Sequence, residues 1–471
     1  MNLPNYLQAA EIRSQFAAAM SRMYIDEVPM YGTLRDMVED LNLQQLETQT
    51  GFIQPLKNTE HIKHISEERH GAIRLGTAFE LNTMRRLFAV MGMYPVSYYD
   101  LTEAGIPVHS TAFRPVQMMH LEQNPFRMFT SLIRLDLIED AALREQASAL
   151  LDRRNIFSPQ LLQLIDSFEA QHGLTAQQAE LFINEALKTF SWHKQVMVNK
   201  PNYEKFLNTH RLLADIVCFK GPHINHLTPR SLNIDRAQSC MPDYGLDAKP
   251  IIEGPPWRVN PILLRQTSFK ALSEEIEFDS TQEEYETGQH SARFGEIEQR
   301  GMALTPKGRA LYDRLLNKVR AAVPDAINQL ELYNQQLEQV FIEFPDDLEQ
   351  IRLQGLGYFT YQSRMGATLW TDLELEQMIQ QGIISYYPMT YEDFLPVSAA
   401  GIFKSNLDER DCQSIQRSPN QQAFEQALGC PVINEFELYQ RIQSDSLWHA
   451  LHQLGLDDSQ CDELIQQIPA G

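Results

Sequence analysis

The chain has 471 residues, enough for about three units of ~150 residues. Its 40 Lys+Arg against 62 Asp+Glu give a net charge of −22, which argues against a general nucleic-acid binder or a partner of anionic membranes, because both need clustered cations. A hydrophobic content of 43% with 22% charged residues excludes a disordered chain.

From Ala9 to about Leu46 the spacing of Ile12, Phe16, Met20 and Met23 predicts helix, with Tyr31-Gly32-Thr33 breaking it before a second helix at Leu34–Leu43. Residues 1–60 therefore read as a helical cap. Residues 61–137 read as a βαβββ module: an extended run at His70–Thr77, a helix at Ala78–Met91 closed by Gly92, and strands at Tyr94–Asp100, Pro107–Arg114 and Phe126–Leu137, with a turn at Thr102–Gly105 between the first two. Residues 138–212 form a helical insertion carrying Leu143–Leu151, Gln160–Gln171 and Ala176–Thr189.

The module order then returns over residues 213–303. An extended run lies within Cys218–Thr228, a helix at Asn233–Met241, and strands at Lys249–Glu253, Ile262–Leu272 and Ala292–Arg300. A supersecondary unit found twice carries more weight than any short motif. Residues 304–471 read as mainly helical: a helix from Thr305 through Val319, a Gln-rich helix at Asp325–Glu343, then Leu373–Gln381 and Phe436–Leu454. The loop YEDFLPVSAAGIF, residues 391–403, interrupts them, and its small residues suit close approach to a ligand. The predicted class is α+β, with two βαβββ modules forming a central curved sheet wrapped by N-terminal, inserted and C-terminal helices.

Among thirteen histidines, His61, His64, His120, His172 and His290 lie in polar surroundings and read as exposed, His193 and His210 lie beside helices, and His109 reads as strand packing. His70 and His226 differ by position, each on the first strand of a module, where a pseudo-twofold would make them neighbours. In ARFGEIEQRG, strand alternation puts Phe294, Glu296, Glu298 and Arg300 on one face. Two core-facing carboxylates are costly unless a cation or an Arg neutralises them. Two imidazoles and one carboxylate make the facial triad of non-haem Fe(II) oxygenases; the competing reading is ordinary buried histidines beside a Glu–Arg pair. His223, three residues before His226, has the opposite strand parity and competes with it only if a turn at Pro222 breaks the strand. Arg74 shares the face of His70, about 13 Å along the strand, and could grip a carboxylate bidentately; otherwise it is a surface Arg.

The five cysteines, Cys218, Cys240, Cys412, Cys430 and Cys461, are scattered without a CxxC pair and read as reduced thiols. MNLPNYLQAA has no basic residue of a secretory signal, and no uncharged apolar run approaches the ~18 residues of a membrane span. A cytoplasmic location is expected.

The runs ERHGAIRLGT, MGMYPVSYYDL, VHSTAFRPV, HINHLTPR, IEGPP, LLRQTSFKAL, RFGEIEQRG, LTPKGR and YEDFLPVSAAGIF closely resemble the 2-oxoadipate dioxygenase/decarboxylase (hydroxyglutarate synthase) family. FGEIEQR also looks like the metal-binding strand of 4-hydroxyphenylpyruvate dioxygenase, a vicinal-oxygen-chelate enzyme built from paired βαβββ modules. The resemblance implies metal ligands His70, His226 and Glu296, rather than Glu298, whose role stays open. It further implies that Arg74 grips the distal carboxylate of the substrate and that Val397 and Ser398 lie in a substrate-contacting loop. Gln266 and Arg265, on an inner strand of the second module, are candidate lining residues. The implied cofactor is Fe(II), and the implied reaction turns 2-oxoadipate and O2 into D-2-hydroxyglutarate and CO2 in lysine catabolism. The expected partners are a small 2-oxo dicarboxylic acid and O2, with no nucleic acid and no membrane; the oligomeric state is left open. A hydrolase or isomerase using Zn²⁺ or Mn²⁺ on the same fold, acting on another oxo acid, is the alternative, since the ligand set alone does not select Fe(II). A non-catalytic binding protein with a vestigial site is a further one.

Overall fold

The protein is described by a computed structural model for residues 6–48, 68–102, 105–279, 286–364, 373–395 and 419–471. Two helices open it, α1 (Ala9–Glu27) and α2 (Pro29–Thr48). The break falls at Val28, not at Gly32, because Pro29 has no N–H to continue α1 and instead starts α2. Ile12, Phe16, Met20 and Tyr24 of α1 and Tyr31, Leu34 and Met37 of α2 are fully buried. They share one core with Ile73, Leu75, Ile224, Leu227 and Ile297 on the back of the sheet. Each such aliphatic or aromatic side chain contributes about 1.5–3 kcal/mol on burial, so these two helices brace the sheet rather than merely cover it.

The sheet has seven strands: β1 (Glu68–Leu75), β2 (Tyr94–Asp100), β3 (Val108–Arg114), β4 (Arg127–Ile133), β5 (Ile224–Pro229), β6 (Leu264–Ser268) and β7 (Phe294–Arg300). Their spatial order is β2-β3-β4-β1-β5-β7-β6. β1 pairs in parallel with β4, as β5 does with β7, and β1 meets β5 antiparallel at the centre. Outward of each parallel pair the next strand is antiparallel. The same pattern on both sides of the β1–β5 seam is the two-module architecture expected from the repeat. Helix α3 (Ala78–Val90), capped at Thr77, crosses the back of the first module.

The second module is less regular than its sequence suggests. Lys249–Glu253 does not form a strand; only two bridges, Ala248 with Phe269 and Glu253 with Gln266, mark its path. Pro250 has no ladder donor, which explains the loss. A hairpin of Glu274–Glu277 with Thr287–His290 stands outside the main sheet, and two short helices, Lys200–Thr209 and Arg211–Val217, close the inserted segment.

A second core joins the C-terminal helices Pro306–Ala322, Leu330–Phe341 and Glu435–Gln453 to a hairpin of Phe359–Ser363 with Ile384–Pro388. The Gln-rich helix is shorter than expected because the Asp325 carboxylate takes the Asn328 side chain in a turn ahead of it. Among the described residues no helix is long and apolar enough to cross a membrane.

Candidate metal centre

Three adjacent strands deliver His70, His226 and Glu296 to one point. The ladder aligns Ala72 with His226 and His226 with Phe294, then Gly71 with Leu227 and Leu227 with Gly295. His70 and Glu296 are therefore one step beyond that row, on β1 and β7, flanking β5. One ligand atom from each of the three side chains lies within 4.8 Å of the other two. That is close to the distance between neighbouring strands, and all three residues are buried.

Glycine is required beside two of these ligands. A Cβ on Gly295 would stand 2.5 Å from the Phe269 ring and 2.7 Å from Leu34 of α2, and one on Gly71 would stand 2.7 Å from Ile224. The bracing helices and back-face side chains come that close only because both positions lack a side chain.

The electrostatics can take a cation. His70 Nδ1 lies 2.9 Å from Glu298 Oε2, and its Nε2 lies 3.2 Å from Glu296 Oε1. A cation between the Nε2 lone pair and the Glu296 oxygen would be attracted by both. Thr228 Oγ1 is 3.2 Å from His70 Nε2 and 3.3 Å from Glu296 Oε1, but its one proton can satisfy only one of them. Burial pushes the His226 imidazole down to about 3, leaving it neutral with an electron pair to give. Burial would raise the Glu296 carboxyl, but His226 and His70 hold it below the usual carboxylate range. Two imidazoles and one carboxylate, with solvent excluded, form a donor set that fits Fe(II), Zn²⁺ or Mn²⁺.

The surrounding residues fix these ligands. Gln266 Nε2 donates to Glu296 Oε1 at 2.6 Å. Glu298, fully buried, pairs with Arg300 at 2.6 and 2.9 Å. Phe394 packs edge-on to His70, with centroids 4.8 Å apart, and Phe294 stacks on His226 at 4.7 Å. Phe394 is held in turn by its neighbour Asp393, which takes Arg114 bidentately at 2.7 and 2.8 Å and accepts the Tyr439 hydroxyl proton at 2.7 Å. Glu392 pairs with Arg127. Val397 and Ser398, the loop positions expected at the substrate, lie outside the described residues.

Arg74 shares its face with His70 but does not stand alone. Its Nη1 donates to Asp215 Oδ2 at 2.7 Å. Asp215 comes from the short helix Arg211–Val217, and its other oxygen lies 3.3 Å from His223 and 3.1 Å from His290. Burial alone would raise the Asp215 carboxyl, but His223 and Arg74 hold it well below the usual range.

Three readings need correction here. His290, expected at the surface, is 3% exposed. His223 does not point away from the site: β5 carries a bulge, with Ala72 opposite His226 but Ile73 opposite Ile224, so Asn225 is an extra residue that reverses the parity of everything before it. Arg265 does not line the site with Gln266. Being adjacent on β6, the two face opposite ways, and Arg265 pairs with Asp235 at 2.6 and 2.9 Å. Sequence reasoning missed Asp215 altogether. The available signal was one carboxylate inside the apolar run Leu212–Val217.

Comparison with known proteins places this geometry among relatives. Residues 16–406 match the family described as 2-oxoadipate dioxygenase/decarboxylase. The protein of that name from Escherichia coli (strain K12) is 50% identical over 449 residues, which cover 94% of this chain and 98% of that one. Its counterpart from Pseudomonas putida is 50% identical over 459 residues, covering 96% and 98%. The crystal structure of the hydroxyglutarate synthase from Pseudomonas putida in complex with 2-oxoadipate superimposes with a TM-score of 0.89 at 48% identity, covering 96% of this chain and 100% of that chain.

Proposed function

Since the chain belongs to the 2-oxoadipate dioxygenase/decarboxylase family, we propose that it is a non-haem Fe(II) enzyme turning 2-oxoadipate and O2 into D-2-hydroxyglutarate and CO2, a step of lysine catabolism in the cytoplasm. The observation that carries this reading is the convergence of His70, His226 and Glu296 within 4.8 Å, buried and with Arg74 on the same face of β1. A six-carbon oxo diacid and O2 give a five-carbon hydroxy diacid and CO2 with no atoms left over, so no second oxo acid is needed as cosubstrate.

When bound, Fe(II) would supply a Lewis-acidic chelation point for the 2-oxo acid and electrons for O2 reduction. His70 and His226 would hold it as neutral imidazoles and Glu296 as the anionic ligand. Glu298 would keep the His70 ring turned with Nε2 toward the metal, and Gln266 would fix the Glu296 carboxylate. Arg74, four residues along β1, would take the distal carboxylate through the guanidinium nitrogens that Asp215 does not use. Phe394 and Phe294 would keep water from the reacting end. Val397 and Ser398, shortly after Leu395 in sequence, would contact substrate.

The test couples an oxygen electrode to CO2 release with 2-oxoadipate, after metal analysis of the same preparation. O2 uptake and CO2 release in equal amounts, with none of either under anaerobic conditions, is the expected result. Undiminished turnover without O2 would reject the oxygenase and favour a hydrolase or isomerase. Arg74→Ala should keep its metal and lose its preference for dicarboxylic over monocarboxylic oxo acids.

A further inference from the structure

Asp215 sits where an apolar helix has no use for a charge. Its neighbours Leu212, Leu213, Ile216 and Val217 are buried, and Asp215 itself is 4% exposed. A carboxylate so placed persists only if its oxygens are satisfied. They are, by Arg74 of the central strand β1, His223 just ahead of β5, and His290 of the small hairpin outside the main sheet. Arg74 donates to Oδ2 at 2.7 Å. His290, from the small hairpin, reaches Oδ1 at 3.1 Å, and His223 reaches the same oxygen at 3.3 Å because of the bulge at Asn225. Behind His290, the Tyr203 hydroxyl lies 2.8 Å from Nδ1.

The directions of these bonds follow from the groups. A carboxylate oxygen can only accept, so His290 Nε2 donates to it, and the Tyr203 hydroxyl holds the other ring nitrogen. Tyr203 and His290 therefore fix Oδ1, and Oδ2 is left pointing at Arg74. The Arg74 side chain is 17% exposed, and among the described residues its hydrogen bond to Asp215 is the only one it makes. A long, flexible guanidinium held at one nitrogen keeps its remaining donors in a fixed fork, which is the geometry that bidentate recognition of a carboxylate requires.

We propose that Asp215, backed by His290 and Tyr203, is a positioning residue for Arg74, and that discrimination in favour of a 2-oxo acid bearing a second, distal carboxylate depends on it. This rests on the role assigned to Arg74 above. None of the three touches the metal ligands, so their effect is confined to the far end of the substrate.

The test compares 2-oxoadipate with 2-oxohexanoate, which has the same six carbons and no distal carboxylate; 2-oxohexanoate is assayed as substrate or, failing turnover, as competitive inhibitor. Wild type, Arg74→Ala, Asp215→Asn, the double variant and Tyr203→Phe are assayed as metal-loaded full chains. Asp215→Asn should raise KM for 2-oxoadipate about 10- to 100-fold, the range for losing a charged hydrogen bond. It should leave the constants for 2-oxohexanoate nearly unchanged and add nothing in the Arg74→Ala background. Tyr203→Phe should move the same KM in the same direction by less, and it decides the matter if Asp215→Asn does not fold. Equal losses on both acids, or additive losses in the double variant, would overturn the proposal. If Arg74→Ala abolishes the discrimination while Asp215→Asn and Tyr203→Phe leave it intact, this inference falls and the reading of Arg74 stands. If Arg74→Ala leaves it intact, both fall.

Discussion

His70 bridges two glutamates: Glu298 lies 2.9 Å from its Nδ1 and Glu296 lies 3.2 Å from its Nε2. The two acids stand two residues apart on β7 and so face the same way, yet they do different work. Glu296 belongs to the candidate metal-binding trio with His70 and His226, whereas Glu298 is tied to Arg300 and lies on the Nδ1 side of the ring. Glu298→Gln removes the charge that selects the Nδ1–H tautomer. The metal dissociation constant should rise about 10- to 100-fold, the usual effect of losing such a partner, measured by chelator competition. Unchanged affinity would reduce Glu298 to a counter-ion for Arg300.

His226→Ala should lose metal and activity together while the fold persists. His226 contributes little to the back core, and Phe294, which stacks on it at 4.7 Å, can settle toward the space. Metal analysis and circular dichroism on the purified variant check both halves. Full metal content in this variant would remove His226 from the ligand set.

Gly295→Ala tests the bracing of the centre from behind. The added methyl would meet the Phe269 ring at 2.5 Å and Leu34 at 2.7 Å, and overpacking of this kind costs about 1–3 kcal/mol. The urea midpoint should fall accordingly, and metal affinity should fall with it because Glu296 is the next residue. A midpoint equal to wild type would show that α2 yields freely.

His109 makes stability depend on pH. Burial, helped by Arg134, pushes its imidazole down to about 4 from the ordinary 6.5. Above pH 6.5 neither the folded nor the unfolded chain protonates it, and the folded state bears no penalty. As the pH falls below 6.5 the unfolded chain takes up a proton that the folded chain refuses until about pH 4, so stability drops across that window. At pH 5 this one residue accounts for about 2 kcal/mol. His109→Leu should lose less stability than wild type between pH 7 and pH 5 by that amount in parallel denaturant titrations. Parallel curves would assign the acid sensitivity elsewhere.

The strand period and the repeated module were enough to bring His70 and His226 together on paper with the face that carries Glu296 and Glu298, because each lies on a regular stretch whose facing can be counted by twos; the choice of Glu296 over Glu298 came from the family resemblance. His223 was misread for the same reason. One extra residue at Asn225 shifts the count, and no local sequence signal announces a bulge. Asp215 and His290 escaped because Arg74 lies 141 residues from Asp215 and His290 lies 75 from it along the chain, and a lone Asp in a short apolar helix acquires meaning only when Arg74 is placed beside it. The adjacent pair Arg265 and Gln266 shows the converse: strand alternation alone would have separated them, yet both were read as lining residues.

The three candidate ligand side chains sit on three neighbouring strands of one hydrogen-bonded sheet, β1, β5 and β7. Their spacing is thus a property of peptide hydrogen bonding, already established before any ion arrives. A chain stripped of metal should therefore keep its strand signal in circular dichroism and take an ion up again without refolding.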